Sequence, residues 1–94
     1  MTKTAAFSSK PVEVTVGEID FKFTPSVNDA NNYSNTVTNT KKVEPARTYL
    51  ERTVDKDQKE ALIELLNQVP GLTMELFGTV YEASKGGVTI TLKN

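Results

Sequence analysis

With neither histidine nor cysteine in its 94 residues, the chain has only carboxylates and hydroxyls to offer as reactive side chains. The commonest general base and metal ligand at neutral pH is missing. So are the thiol nucleophile, the thiolate metal site and the disulfide framework. Glu13 and Asp20 alternate with apolar residues and fall on the solvent side of a strand pair. Asp55 and Asp57 precede a leucine-rich helical segment, where capping and complementarity to the helix dipole account for them. Glu60, Glu64 and Glu75 fall on the outer faces of helices. No constellation converges, so the chain reads as a non-enzyme without cofactor or metal.

The five glycines form neither G-x-x-x-x-G-K-[ST] nor G-x-G-x-x-G, the spacings that cradle phosphate. Eleven basic residues stand against twelve acidic ones, for a net charge of −1. Lys41-Lys42 is the one basic doublet, a solvated loop rather than a phosphate-binding patch. Nucleic acid is not an expected partner. No apolar run approaches the roughly 18 residues of a membrane span, and the first ten residues lack the apolar stretch of a signal peptide. A cytoplasmic protein is the expectation, with residues 1–10 a flexible lead-in and 11–94 a single domain.

The elements that position these residues begin with a hairpin. Val12-Glu13-Val14-Thr15-Val16 and Ile19-Asp20-Phe21-Lys22-Phe23 each alternate, with Gly17-Glu18 between them. A two-residue loop opposes Val16 to Ile19, Val14 to Phe21 and Val12 to Phe23, making one face wholly apolar. Thr15 then meets Asp20 and Glu13 meets Lys22. Gly17 supplies the positive φ of a type II′ turn. Thr24-Pro25 ends the second strand.

Ser26 and Asp29 have the spacing of a capping box, and Val27, Ala30, Tyr33 and Val37 follow near one helical face. Asn, Ser and Thr dominate residues 28–40, and their short polar side chains compete for backbone hydrogen bonds. A short helix fraying into a mobile loop is expected, with ordering on binding as its role. Pro45 suits the first position of a second helix, with Ala46, Tyr49, Leu50 and Val54 inward and Arg47 and Glu51 paired outside. Asp55 starts a third helix with Gln58 as reciprocal cap, burying Leu62, Leu65, Leu66 and Val69 until Pro70-Gly71 stops it. A fourth helix runs over 72–84 and buries Leu72, Leu76, Phe77, Val80 and Ala83. Gly78 within it implies a close approach that a side chain would prevent. After Gly86-Gly87, the alternation Val88-Thr89-Ile90-Thr91-Leu92-Lys93 predicts a third strand. The fold class is α+β: an N-terminal β-hairpin and a C-terminal β-strand form a small sheet, packed on one face by three to four helices.

The stretch Val43-Glu-Pro-Ala-Arg-Thr-Tyr-Leu-Glu-Arg-Thr-Val54, then Lys59-Glu-Ala-Leu-Ile-Glu-Leu-Leu66 and Pro70-Gly71, resembles the tail assembly chaperones of tailed bacteriophages. The likeness extends over most of residues 12–92, including the early hairpin and the order of elements. It implies a non-catalytic role in tail morphogenesis, in the cytoplasm of the bacterial host. The implied partners are the tape-measure protein and the major tail-tube protein. The alternative is a structural tail component that remains in the particle. A chaperone of this kind needs adaptable apolar surface, for which the best helices offer Tyr49, Leu50, Leu66, Phe77 and Tyr81, with Arg47 and Arg52 as a charged rim.

Overall fold

Side-chain alternation dictates the register of the hairpin, and the computed structural model, which describes residues 11–84 and Leu92, has that register throughout. Strands β1 (Val12–Val16) and β2 (Ile19–Phe23) pair Val12 with Phe23, Glu13 with Lys22, Val14 with Phe21, Thr15 with Asp20 and Val16 with Ile19. Gly17 has φ 63°, and none of the described non-glycine residues, Glu18 included, has positive φ; a type II′ turn requires positive φ at the first central position only. The Thr15 hydroxyl donates to Asp20 Oδ1 at 2.6 Å. Phe21 and Phe23 are buried, Val12, Val14 and Val16 half-buried, and Ile19, beside the turn, is exposed.

Four α-helices follow among the described residues: α1 (Val27–Thr36), α2 (Val43–Thr53), α3 (Lys59–Gln68) and α4 (Leu72–Ser84). The central helix is α2, which packs against α1, α3 and α4, while α4 reaches β1. The capping box at the start of α1 is complete: Ser26 Oγ accepts from the Asp29 amide, and Asp29 Oδ2 accepts from the Ser26 amide at 3.0 Å. Despite its polar sequence α1 persists for ten residues, yet none of them is fully buried. The loop after it is braced by Thr38, whose hydroxyl accepts from the Lys41 amide at 2.9 Å.

Three boundaries differ from expectation. Helix α2 starts at Val43, which puts Pro45 at its third position rather than its first. The whole first turn tolerates proline, because its N–H groups have no intrahelical acceptor. Val54 leaves α2 and forms an antiparallel bridge with Phe23, so its inward direction comes from the sheet and not from a helical stripe. Asp55 makes no cap; it precedes a 3₁₀ turn over Lys56–Gln58, and α3 begins at Lys59. Gln58 is engaged elsewhere. Its Oε1 accepts from the Lys22 amide at 2.9 Å, and its Nε2 donates to the Asp20 carbonyl at 2.6 Å. Two otherwise unpaired strand groups outcompete a local cap for that side chain.

The inward face of α3 holds Leu62 and Leu66 with Leu65 half-buried, while Val69, where the chain turns away through Gly71 at φ 77°, is 41% exposed. Helix α4 has the predicted span but a slightly rotated face. Thr73, Leu76, Phe77, Val80 and Ser84 are buried, Leu72 is half-buried and Ala83 is exposed. The close approach expected at Gly78 is absent: among the described residues, a Cβ there would meet nothing within 4 Å. Gly78→Ala is therefore expected to stabilise the domain by about 0.5–1 kcal/mol, through helix propensity alone. A rise in the urea midpoint at unchanged m-value is the check; a fall would reveal an obstruction.

Among the described residues the sheet has two strands, and the fold is α+β. The strand expected over 88–93 lies outside the described residues, apart from Leu92. No helix among the described residues is long and apolar enough to cross a membrane.

Candidate functional site

Helix α1 has one aromatic residue, Tyr33, placed four positions after the capping Asp29 and so on the same face. Its ring lies 4.4 Å from Phe77, 5.8 Å from Tyr81 and 6.4 Å from Tyr49, centroid to centroid. Tyr49 meets Phe77 edge-on at 5.2 Å, and Phe77 stacks on Tyr81 at 5.1 Å. Four rings from α1, α2 and α4 thus form one cluster, in the offset and edge-on arrangements that aromatic quadrupoles favour.

Between α1 and α2 lies a cavity of about 580 Å³, lined by Asp29, Asn32, Tyr33 and Thr36 from α1, Lys41 from the connecting loop, and Glu44, Pro45, Thr48, Tyr49 and Arg52 from α2. Arg52 closes one end. Its Nε donates to Asp29 Oδ1 at 3.2 Å. With the Asn32 amide turned so that its oxygen faces the guanidinium, that oxygen accepts from both Nη atoms, at 3.0 and 3.2 Å. Asp29 therefore caps α1 with one oxygen and ties it to α2 with the other.

The hydroxyl of Tyr49, the aromatic residue that α2 gives the cavity, lies 3.3 Å from the buried Ser84 Oγ, and Ser84 Oγ donates to the Tyr81 carbonyl at 2.7 Å. Burial pushes the Tyr49 phenol above its ordinary value, and the Ser84 hydrogen bond opposes this only partly. Folding thus favours the neutral phenol. That contribution is fully present below the unfolded value of about 10 and is lost as pH rises through the higher folded value. Alkaline denaturation monitored by circular dichroism is expected to have a shallower limb in Tyr49→Phe, which loses at most about 1 kcal/mol near neutrality. An unchanged limb would show that Tyr49 does not titrate with unfolding.

The arrangement suits recognition. A ring-lined cavity with a guanidinium at its mouth can hold an apolar side chain and orient a polar neighbour. A second hollow of about 260 Å³ lies beside the solvent face of the hairpin, lined by Glu13, Asp20, Asp55 and Asp57 with Lys22 and Gln58. Among the described residues no three acidic groups come close enough to hold a metal ion.

The seven candidates divide by position. Tyr49, Leu50, Leu66 and Phe77 belong to the buried core, Tyr81 is half-buried against it, and Arg52 stands exposed at the cavity mouth. Arg47 lies on another face, where it pairs with Glu51 at 2.7 Å and donates to Asn67 Oδ1 at 2.8 Å, joining α2 to α3. Tyr33, Asp29 and Asn32 complete the cavity and were not among the candidates. The capping box and the Tyr33 position are visible in the sequence, but the Asp29–Arg52 tie spans 23 residues and has no local signal.

The profile of a family described as phage tail assembly chaperone matches residues 12–94, which include every element described above. A relative in Haemophilus phage HP1, an 11.3 kDa protein in the lys 3′ region, is 34% identical over 83 residues, covering 88% of this chain and 80% of that protein. No solved structure matches. A profile match over nearly the whole chain, together with that phage relative, places the hairpin and its four helices in a known lineage: the chain belongs to the phage tail assembly chaperone family.

Proposed function

We propose that the protein acts without catalysis, in the host cytoplasm, by binding the tape-measure protein transiently and helping to recruit tail-tube subunits around it. The observation that carries this reading is the aromatic cluster beneath α1. That helix buries none of its residues fully, yet it covers Tyr49, Phe77 and Tyr81 through the Tyr33 ring. A helix held by the Tyr33 ring, the half-buried Ala30 and the Arg52 contacts of Asp29 and Asn32 is displaceable, because isolated helices of this length are marginal in water. An amphipathic helix of the tape-measure protein would take its place, laying apolar side chains on Tyr49, Phe77 and Tyr81. Leu50 and Leu66 support this surface from the core, and Arg52 supplies a charged rim, whereas Arg47 is spent on joining α2 to α3. Transience follows from competition, since α1 and the partner want the same rings.

Co-expression with the tape-measure protein of the same phage, followed by affinity capture, tests the proposal. The expected result is a soluble complex with a tape-measure protein that is insoluble alone. No association with any tape-measure fragment, and recovery of this chain from intact tails, would instead make it a structural component.

A further inference from the structure

The cavity and the uncovered rings cannot exist together. Asp29, Asn32, Tyr33 and Thr36 of α1 make one wall of the cavity, and Thr48, Tyr49 and Arg52 of α2 face them, so the cavity is present only while α1 is docked. Tyr49, Phe77 and Tyr81 become free for a partner helix only when the Tyr33 ring leaves them. A group that fills the cavity therefore binds the docked state alone and draws the population toward it. At about a hundred times its dissociation constant, such a group lowers the undocked fraction about a hundredfold. Helix α1 has room for it, since none of its residues is fully buried.

The lining sets the chemistry of the occupant. Tyr33, Tyr49 and Pro45 offer apolar surface in a volume of about 580 Å³, a size that takes a compact apolar group. At the Arg52 end the charge is already settled, because Asp29 and Asn32 accept from the guanidinium. At the loop end, Lys41 and Glu44 are exposed, and neither has an ion-pair partner among the described residues. One cation beside one anion complements one acidic and one basic residue, and disfavours a phosphate or a run of like charge. We propose that the cavity is a regulatory site for a partner segment with a bulky apolar side chain between one acidic and one basic residue, and that filling it locks α1 over the rings. The proposal rests on the reading of α1 as a displaceable cover and makes the occupant of the cavity an antagonist of the tape-measure helix.

The test uses the full chain, with amide exchange of α1 and capture of the tape-measure protein as separate readouts and the blocked tripeptide acetyl-Glu-Phe-Lys-amide as probe. Saturating probe is expected to slow exchange across α1 by about tenfold or more and to weaken capture by the same factor. Lys41→Glu is expected to weaken the probe about threefold or more, since it turns an attraction into a repulsion. Thr48 is exposed and lines the cavity, so Thr48→Trp fills it from within. That variant is expected to slow α1 exchange and weaken capture with no probe present, and to lose its response to the probe. Three outcomes overturn the proposal. In the first, α1 exchange is unchanged or faster with the probe and in Thr48→Trp. In the second, acetyl-Phe-amide acts as strongly as the tripeptide and is indifferent to Lys41→Glu, which would make the occupant an uncharged solute. In the third, α1 exchange slows while capture is undiminished, which would separate the cavity from the rings. A wild-type chain that captures no tape-measure protein would instead overturn the proposed function, and the exchange readout would still decide whether the cavity locks α1.

Discussion

Phe23→Ala is expected to lower stability by about 3–5 kcal/mol, much of the roughly 5–15 kcal/mol that holds a domain together. Phe23 is fully buried, pairs with Val12 across the hairpin, bridges Val54 at the end of α2, and sets its ring 6.4 Å from Phe21. It joins the sheet to the helices, so the cavity left by its removal opens between layers that have no other side chain to fill it. Urea unfolding should show a large fall in midpoint, or no cooperative transition at all. A loss below about 1 kcal/mol would mean that the layers collapse onto the vacancy, and that the bridge at Val54 rather than the ring holds them.

Tyr33→Ala is expected to release α1 while the rest of the fold survives. The ring is the main apolar attachment of that helix, and its contacts with Phe77, Tyr81 and Tyr49 add about 0.5–1.5 kcal/mol per well-placed pair. Losing them should cost about 2–3 kcal/mol in all. Amide exchange should become fast across α1 and stay slow in β2 and α3. Under the proposed function the same variant binds the tape-measure protein more tightly, since the fraction of molecules with uncovered rings no longer limits apparent affinity. Weaker capture by Tyr33→Ala would make α1 itself the contact surface and reverse its role.

The hairpin was legible to the last cross-strand pair because period-two alternation and a glycine turn leave one register open. The span of α4 and the capping box of α1 were equally plain, both resting on signals within a few residues. What failed was long-range. Gln58 carries the spacing of a cap, and nothing near it in sequence announces that β2, 36 residues away, competes for its amide. Gly78 implied a close approach, but the structure leaves open space there. Ser84 rather than Ala83 is buried at the end of α4 because Tyr49 offers Ser84 a hydrogen bond that alanine cannot make. The candidate site was half visible. Tyr49, Phe77 and Tyr81 stand out by residue type, but Tyr33, Asp29 and Asn32, which complete the site, come from a segment whose composition argues against order.

Under the proposed function, Asp29 governs how α1 would come off the rings. Because one carboxylate both starts α1 and moors it to Arg52, coiling and docking are a single event. Detached, the segment loses its mooring and much of its reason to be helical. Its Asn- and Thr-rich backbone then regains conformational freedom worth on the order of 1 kcal/mol per residue. That gain offsets part of the cost of wetting the aromatic rings, so uncovering is far less uphill than lifting a rigid helix would be. A polar, weakly helical sequence is what a reusable wrapper requires: ordered enough to keep sticky surface from aggregating, disordered enough to let go.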